Sequence, residues 1–319
     1  MSAAGPEATL AAQHLAQHIE RRAVLRATLL VVVSACCFGS VSPLTVLALK
    51  SGAALQGIQA WRYATTALVL MGWAFWRGAP VASDPLLRWW RPQTLLIAGG
   101  GQTLVATFAL MALRWIPAST EAFLFYTFPA WVAVLTAVRG HERLDRIRVI
   151  ALSLALGGIA FMVGAPSAGS LNPIGVAMAL TAALVYAIYI PVLGELQRTR
   201  PALDVSRAIA VGGSIIFTGW ALSTGALFAH FDTVVLANSV LQGVLSAGAF
   251  VGFLAGLSKL GAVRTAITST VEPFWTSLLS VVVLDQPIGA GTLIGGAAIM
   301  VAVLLLQRSA VSSAPLHSS

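Results

Sequence analysis

The chain has 319 residues, of which 58% are hydrophobic and only 9% charged, with a mean hydropathy of +0.86. Soluble domains carry about 25% charged residues, so composition excludes a water-surrounded fold and favours one solvated by lipid. The net charge of +8 and pI near 10.5 do not mark a nucleic-acid binder, because the basic side chains sit as short clusters at the ends of apolar runs, where they set topology and meet anionic headgroups.

Residues 1–26 are polar and Ala-containing and read as a solvated cytoplasmic tail, with Gln13 to Arg22 able to form a short helix on the membrane face. His14 and His18 stand at i, i+4 but have no third metal ligand nearby. Ten apolar runs follow, at 27–49, 57–76, 94–113, 118–138, 149–165, 174–193, 208–229, 239–257, 265–284 and 288–306, each close to the ~20 residues that span a bilayer as a helix. Residues 307–319 are a cytoplasmic Ser/Ala/Pro tail without a motif. With the N-terminus inside, sixteen of the nineteen Lys and Arg fall in cytoplasmic segments, only Lys50 and Arg114 fall outside, and Arg62 lies within a span. The positive-inside rule thus predicts an all-α polytopic protein with both termini in the cytoplasm.

Cys36 and Cys37 are adjacent inside the first run, so they build neither a disulfide framework nor a metal site. Val33-Ser34-Ala35-Cys36 after Arg21, Arg22 and Arg26 has the look of a lipoprotein signal box, but the apolar run continues to Leu49 and nine more follow. Small buried helix residues are the simpler reading.

The two halves repeat. Arg114-Trp115-Ile116-Pro117-Ala118 leads to Phe128-Pro129-Ala130-Trp131, and Ser258-Lys259-Leu260-Gly261-Ala262 leads to Glu272-Pro273-Phe274-Trp275, at a constant offset of 144. Thirteen residues beyond each proline stand Glu142 and Gln286, each opening a polar turn. Phe38 and Pro43 match Tyr186 and Pro191 at an offset of 148. The halves are residues 27–165 and 174–306, five spans each, and an odd number places them in the membrane with opposite orientations. Inverted repeats are associated with secondary transporters, whose substrate sits near the midplane between the halves; duplicated domains also build channels and other scaffolds.

Phe38-Gly39 in the first span, Trp61-Arg62-Tyr63 in the second, Pro129 followed by Glu142-Arg143-Leu144, and Glu272-Pro273 in the ninth together resemble the EamA-type transporters of the drug/metabolite transporter superfamily, over roughly residues 28–306. The resemblance implies a ten-helix carrier of the bacterial inner membrane, often an exporter of amino acids or other small metabolites, with a central cavity lined mainly by spans 1, 3, 4, 6, 8 and 9. It implies a functional monomer, while the Gly248, Gly252 and Gly256 ladder on span eight leaves a homodimer open. Phe38 stands where the family commonly has Trp, and Gln286 where a second Glu is expected, so no role of that acid carries over.

Ionisable groups in hydrocarbon cost at least ~2.5–3.5 kcal/mol each and usually face a cavity or a partner. Arg62 and Glu121 lie about 9 and 6 Å below the outer ends of spans two and four at 1.5 Å per residue. They are outer-gate candidates, as an ion pair or shared polar cluster, or else snorkel separately. Glu272 lies about 12 Å into span nine, near the midplane, where a carboxyl is a candidate proton carrier, a partner for a substrate ammonium, or a structural group bonded to a neighbouring helix. Pro273 beside it removes a backbone donor and leaves a carbonyl free; Pro43, Pro129 and Pro191 are the other expected kinks. Gln102, Thr103, Tyr126, Tyr186, Tyr189, Ser246 and Trp275 complete the expected cavity lining, amphipathic groups suited to an organic substrate.

No HExxH, Walker loop or nucleophile–base cluster occurs, and His14, His18, His141, His230 and His317 all fall outside the spans, which argues against a membrane-embedded enzyme and a self-contained ATP motor. No cofactor or metal is called for. The expected partners are a small-molecule solute and membrane lipid. A passive channel is the alternative function.

Overall fold

The computed structural model describes residues 6–78, 88–138, 146–164 and 171–312; the side chains of His14 and His18, the His141 to Leu144 turn and residues 313–319 lie outside that set. Among the described residues the fold is helical, with no strand: α1 (Pro6–Lys50), α2 (Leu55–Trp76), α3 (Pro92–Leu95), a π-helical turn (Leu96–Gly100), α4 (Gly101–Ala112), α5 (Ala118–Phe125), α6 (Phe128–Val138), α7 (Arg146–Gly164), α8 (Pro173–Thr199), α9 (Ala202–Ser223), α10 (Thr233–Ser269), α11 (Val271–Leu284) and α12 (Ala290–Ser312).

Six described helical stretches are long and apolar enough to cross a membrane, and Val149–Met162, Val271–Leu284 and Ala290–Leu305 are shorter apolar helices. α2 has 22 residues yet is not among the six, because Gln56, Gln59, Arg62, Thr65 and Thr66 dilute its hydropathy.

Several boundaries differ from those read in the sequence: the expected 118–138 is divided into α5 and α6, α8 runs on to Thr199, α9 ends at Ser223 rather than 229 and α10 begins at Thr233 rather than 239, and three further differences bear on the site. α1 runs back to Pro6 in one helix of 45 residues, absorbing most of the expected tail; its first turns hold good helix formers, and neither Gly nor Pro occurs from Glu7 to Phe38. α9 starts at Ala202, ahead of the expected 208, because Asp204 and Arg207 pair with each other while buried, and the Arg207 guanidinium lies 5.0 Å from the Trp89 ring centroid. α10 carries both the eighth expected run and the start of the ninth, so the expected span 265–284 is interrupted between Ser269 and Val271.

Packing joins the two halves throughout. α1 lies along α10 and α11, α8 along α4, α5 and α6, α2 along α9, and α7 along α12. Exchanging halves maps this set of pairs onto itself, as expected for a duplicated unit. Thr45 meets Gln242, Ser34 meets the Ala249 carbonyl and Gly256 meets Val31, so α1 and the first part of α10 are antiparallel. Farther on, Glu272 and Trp275 return to the level of Gly39 and Ser40, so the chain has reversed along α1 between Gly256 and Glu272. On the glycine ladder, Gly252 and Gly256 are filled against α1 by Leu30, Ser34 and Val31, while Gly248 faces open space.

Candidate functional site

Two helix breaks meet at the centre of the protein. α5 ends at Phe125 and α10 at Ser269, and Pro129 and Pro273 follow each end four residues later. All four positions keep the offset of 144. A proline ring lacks the N–H that would bond the carbonyl four residues back. In the first half Thr127 supports the break, its Oγ1 donating to the Leu124 carbonyl at 2.7 Å. In the second half the carbonyl orphaned by Pro273 is that of Ser269, and the Tyr126 hydroxyl occupies it at 2.5 Å. The same hydroxyl lies 2.9 Å from Glu272 Oε2. Tyr126 therefore links the break in one half to the break and the carboxyl of the other.

Pro43 works similarly inside α1, which stays continuous through it. The Gly39 carbonyl loses its helical donor, and Thr276 Oγ1 supplies one at 2.9 Å. A Cβ at Gly39 would stand 2.9 Å from both the Glu272 carbonyl and Thr276 Oγ1, so glycine is what lets α1 and α11 approach this closely. Pro191 also lies inside a continuous helix, α8. Of the four expected kinks, Pro129 and Pro273 fall at helix breaks, whereas Pro43 and Pro191 do not interrupt their helices.

A cavity of about 1010 Å³ opens between these elements. Its apolar wall includes Phe38, Phe125, Phe128, Tyr186, Phe250 and Phe253. Tyr186 packs against Phe128 at 4.8 Å and Phe125 at 5.2 Å between centroids, and Phe38 meets Phe250 edge-on at 5.2 Å. Polar groups enter at separate points: Ser42 and Glu121, Arg62, Gln102, and the Tyr126–Glu272 pair. The lining continues to Arg198, Arg200 and Ser258, in and beside the arginine-rich segments. Among the described residues, none from 51–54, 113–117, 224–232 or 285–289 contributes, so the cavity reaches one face and is closed toward the other. Thr45 and Gln242, bonded at 3.0 Å, and Thr120 and Thr292, also 3.0 Å apart, lie buried among the helices on the closed side.

Glu272, Gln102, Tyr126 and Tyr186 of the expected lining face the cavity, as do Arg62, Glu121, Pro129 and Pro191. Trp275, Thr103, Tyr189 and Ser246 stand in or behind the wall. Trp275 Nε1 donates to Ser40 Oγ at 3.0 Å, and Thr103 Oγ1 to the Gly99 carbonyl at 2.7 Å. The Tyr189 hydroxyl donates to the Ala98 carbonyl in the π turn, with its ring over Gly101, where a Cβ would sit 2.4 Å from it. Ser246 accepts from Arg62 Nε at 2.9 Å. Trp275, Tyr189 and Ser246 commit their polar atoms to neighbouring helices, and Thr103 bonds back within its own helical stretch.

Arg62 and Glu121 share the cavity but form no ion pair with each other. Glu121 Oε2 accepts from Ser42 Oγ at 3.2 Å, whereas Arg62 holds Ser246 and Gln59 Oε1, the latter at 2.8 Å, and lies 4.9 Å from the Tyr63 centroid. Helix rotation, which depth along the sequence does not report, sends the two side chains to different partners. Sequence reasoning missed Ser42, Phe125, Phe250 and Phe253 as lining; Ser42, a polar residue directly before Pro43, was the one with a visible signal.

Comparison with known proteins adds the following. The model of the EamA-like transporter family matches residues 25–164 and again residues 173–308. An uncharacterized transporter of Archaeoglobus fulgidus is 24% identical over 244 residues, 74% of this chain and 82% of its own length. A protein crystal structure, 19% identical, covers 92% of this chain and 99% of its own with a TM-score of 0.63, a likeness of fold.

Proposed function

The chain belongs to the EamA-like transporter family, a multi-pass membrane transporter by that membership, and we propose that it is a secondary transporter exporting small organic metabolites such as amino acids by alternating access around the central cavity. In this reading ten spans form two oppositely oriented five-helix halves in a bacterial inner membrane, with both termini in the cytoplasm, and the protein works as a monomer or homodimer. Two halves of similar fold adopt each other's shapes, and a solute bound between them is exposed to each side in turn.

The observation that carries the proposal is the one-sided cavity: it extends to Arg198, Arg200 and Ser258 and draws no lining from described residues of the opposite loops. With the arginine-rich face cytoplasmic, this is the inward-open state, ready to load a solute for export. Gln102, Tyr126 and Glu272 supply hydrogen bonds, and the aromatic wall supplies apolar area.

The test is counterflow into liposomes holding the purified protein, screened over amino acids, nucleosides and cationic drugs, with and without a pH gradient. Saturable uptake accelerated by the same solute on the far side is the expected result. Flux that rises linearly with concentration and ignores the far side would identify a channel or facilitator instead.

A further inference from the structure

Arg62 is 3% exposed and lines the cavity. A guanidinium has five N–H donors. The Nε donor goes to Ser246 and one Nη1 donor to Gln59 Oε1, both neutral acceptors. Among the described residues no carboxylate pairs with it, since Glu121 is turned to Ser42 and Glu272 to Tyr126. The two bonds brace the guanidinium from Nε and from one Nη1 hydrogen beside the Tyr63 ring, 4.9 Å from its centroid, and among the described residues its remaining Nη hydrogens have no hydrogen-bond partner.

A buried cation kept only for structure would be matched by an acid or fully bonded, because a bare charge in a low-dielectric site is costly. This one is braced by neutral groups and left unneutralised, the arrangement of a receptor for an incoming anion. The geometry points to Arg62 as the anion-recognition residue of the cavity: the transported solute carries an acidic group, carboxylate or phosphate, that docks on its Nη end. This inference rests on the transport reading above and narrows its substrate class. A purely cationic solute has no anion to offer Arg62 and would depend on Glu121 and Glu272, which line the same cavity.

The test uses the full-length protein in detergent and matched probes differing only in the acid. N-acetyl-leucine is compared with N-acetyl-leucinamide, leucine with leucinamide, and glycerol 3-phosphate with glycerol, by competition binding and by the rise in melting temperature. At least one acid should bind about 10-fold or more tightly than its neutralised partner, and the pair that does so tells carboxylate from phosphate. Arg62→Met should abolish that preference, and Arg62→Lys, which keeps the charge but loses the fork, should retain part of it. Equal binding of every acid and its partner would overturn the proposal, as would an Arg62→Met protein that keeps the preference. Counterflow of any solute by the wild-type protein stands apart from these outcomes, so a failed acid preference is distinguishable from a failed transport reading.

Discussion

The Tyr126 hydroxyl donates to the Ser269 carbonyl, the one backbone acceptor in α10 that Pro273 deprives of its helical partner. One side chain from the first half thereby completes the backbone of the second. Tyr126→Phe leaves that carbonyl buried and unpaired, and frees Glu272 from its 2.9 Å neighbour. A loss of about 1 kcal/mol of stability is expected, read as a lower melting temperature in micelles, with a larger proportional loss of transport rate. Wild-type rate in Tyr126→Phe would show that the link is structural only.

The bond from Thr276 to the Gly39 carbonyl makes the parallel case in α1. Thr276→Val removes the donor at nearly constant volume and should cost roughly 0.5–1.5 kcal/mol, whereas Thr276→Ser should be close to neutral. Gly39→Ala forces a methyl against two oxygens and should cost about 1–3 kcal/mol through overpacking. Melting curves of the three variants check the order.

Glu272 is the acid placed at the meeting of the two breaks. Glu272→Gln keeps the shape and removes ionisation, so substrate flux should fall and its dependence on a pH gradient should flatten. Liposome flux measured across a range of internal and external pH decides this, and an unaltered profile takes Glu272 out of the mechanism.

Because Arg62 and Glu121 hold different partners, exchanging their charges is not expected to restore function. Arg62→Glu combined with Glu121→Arg should transport no better than either single variant. Recovery in the double variant, at equal expression, would reveal a direct pairing in another state of the cycle.

Cysteine labelling tests which face the cavity reaches. In a background carrying Cys36→Ala and Cys37→Ala, Ser258→Cys at the cavity mouth should react with a membrane-impermeant maleimide from the cytoplasmic side, and Gln286→Cys from the opposite side. Reversed accessibility would invert the assigned topology.

The repeat was legible because prolines and polar turns survive at a fixed spacing, and the breaks before Pro129 and Pro273 fall where that spacing puts them. Glu121, Arg62 and Glu272 were legible as charges inside apolar runs, and all three line the cavity. What escaped was rotation about each helix axis. In a soluble helix the apolar stripe marks the buried face, but here lipid and core are both apolar, so Trp275 toward Ser40 and Ser246 toward Arg62 leave no trace in the pattern. Nor does periodicity show that Phe125 and Phe250, ordinary apolar residues in sequence, form a cavity wall. The length of α1 was hidden for a different reason: its polar first turns look like a tail when only hydropathy is followed, although their helix propensity is high.

The offset of 144 that superimposes Pro129 on Pro273 also superimposes Phe128 on Glu272. Twin frames would be equally content in either posture; an aromatic ring on one side and an acid on the other removes that degeneracy. A gap of about 1.4 kcal/mol already leaves tenfold more molecules waiting in one posture than in the other. Under the alternating-access proposal the gradient would still dictate which way cargo flows, while an idle carrier would keep its doorway turned toward a preferred compartment, and Phe128 against Glu272 is one of the differences between the halves that would set that habit.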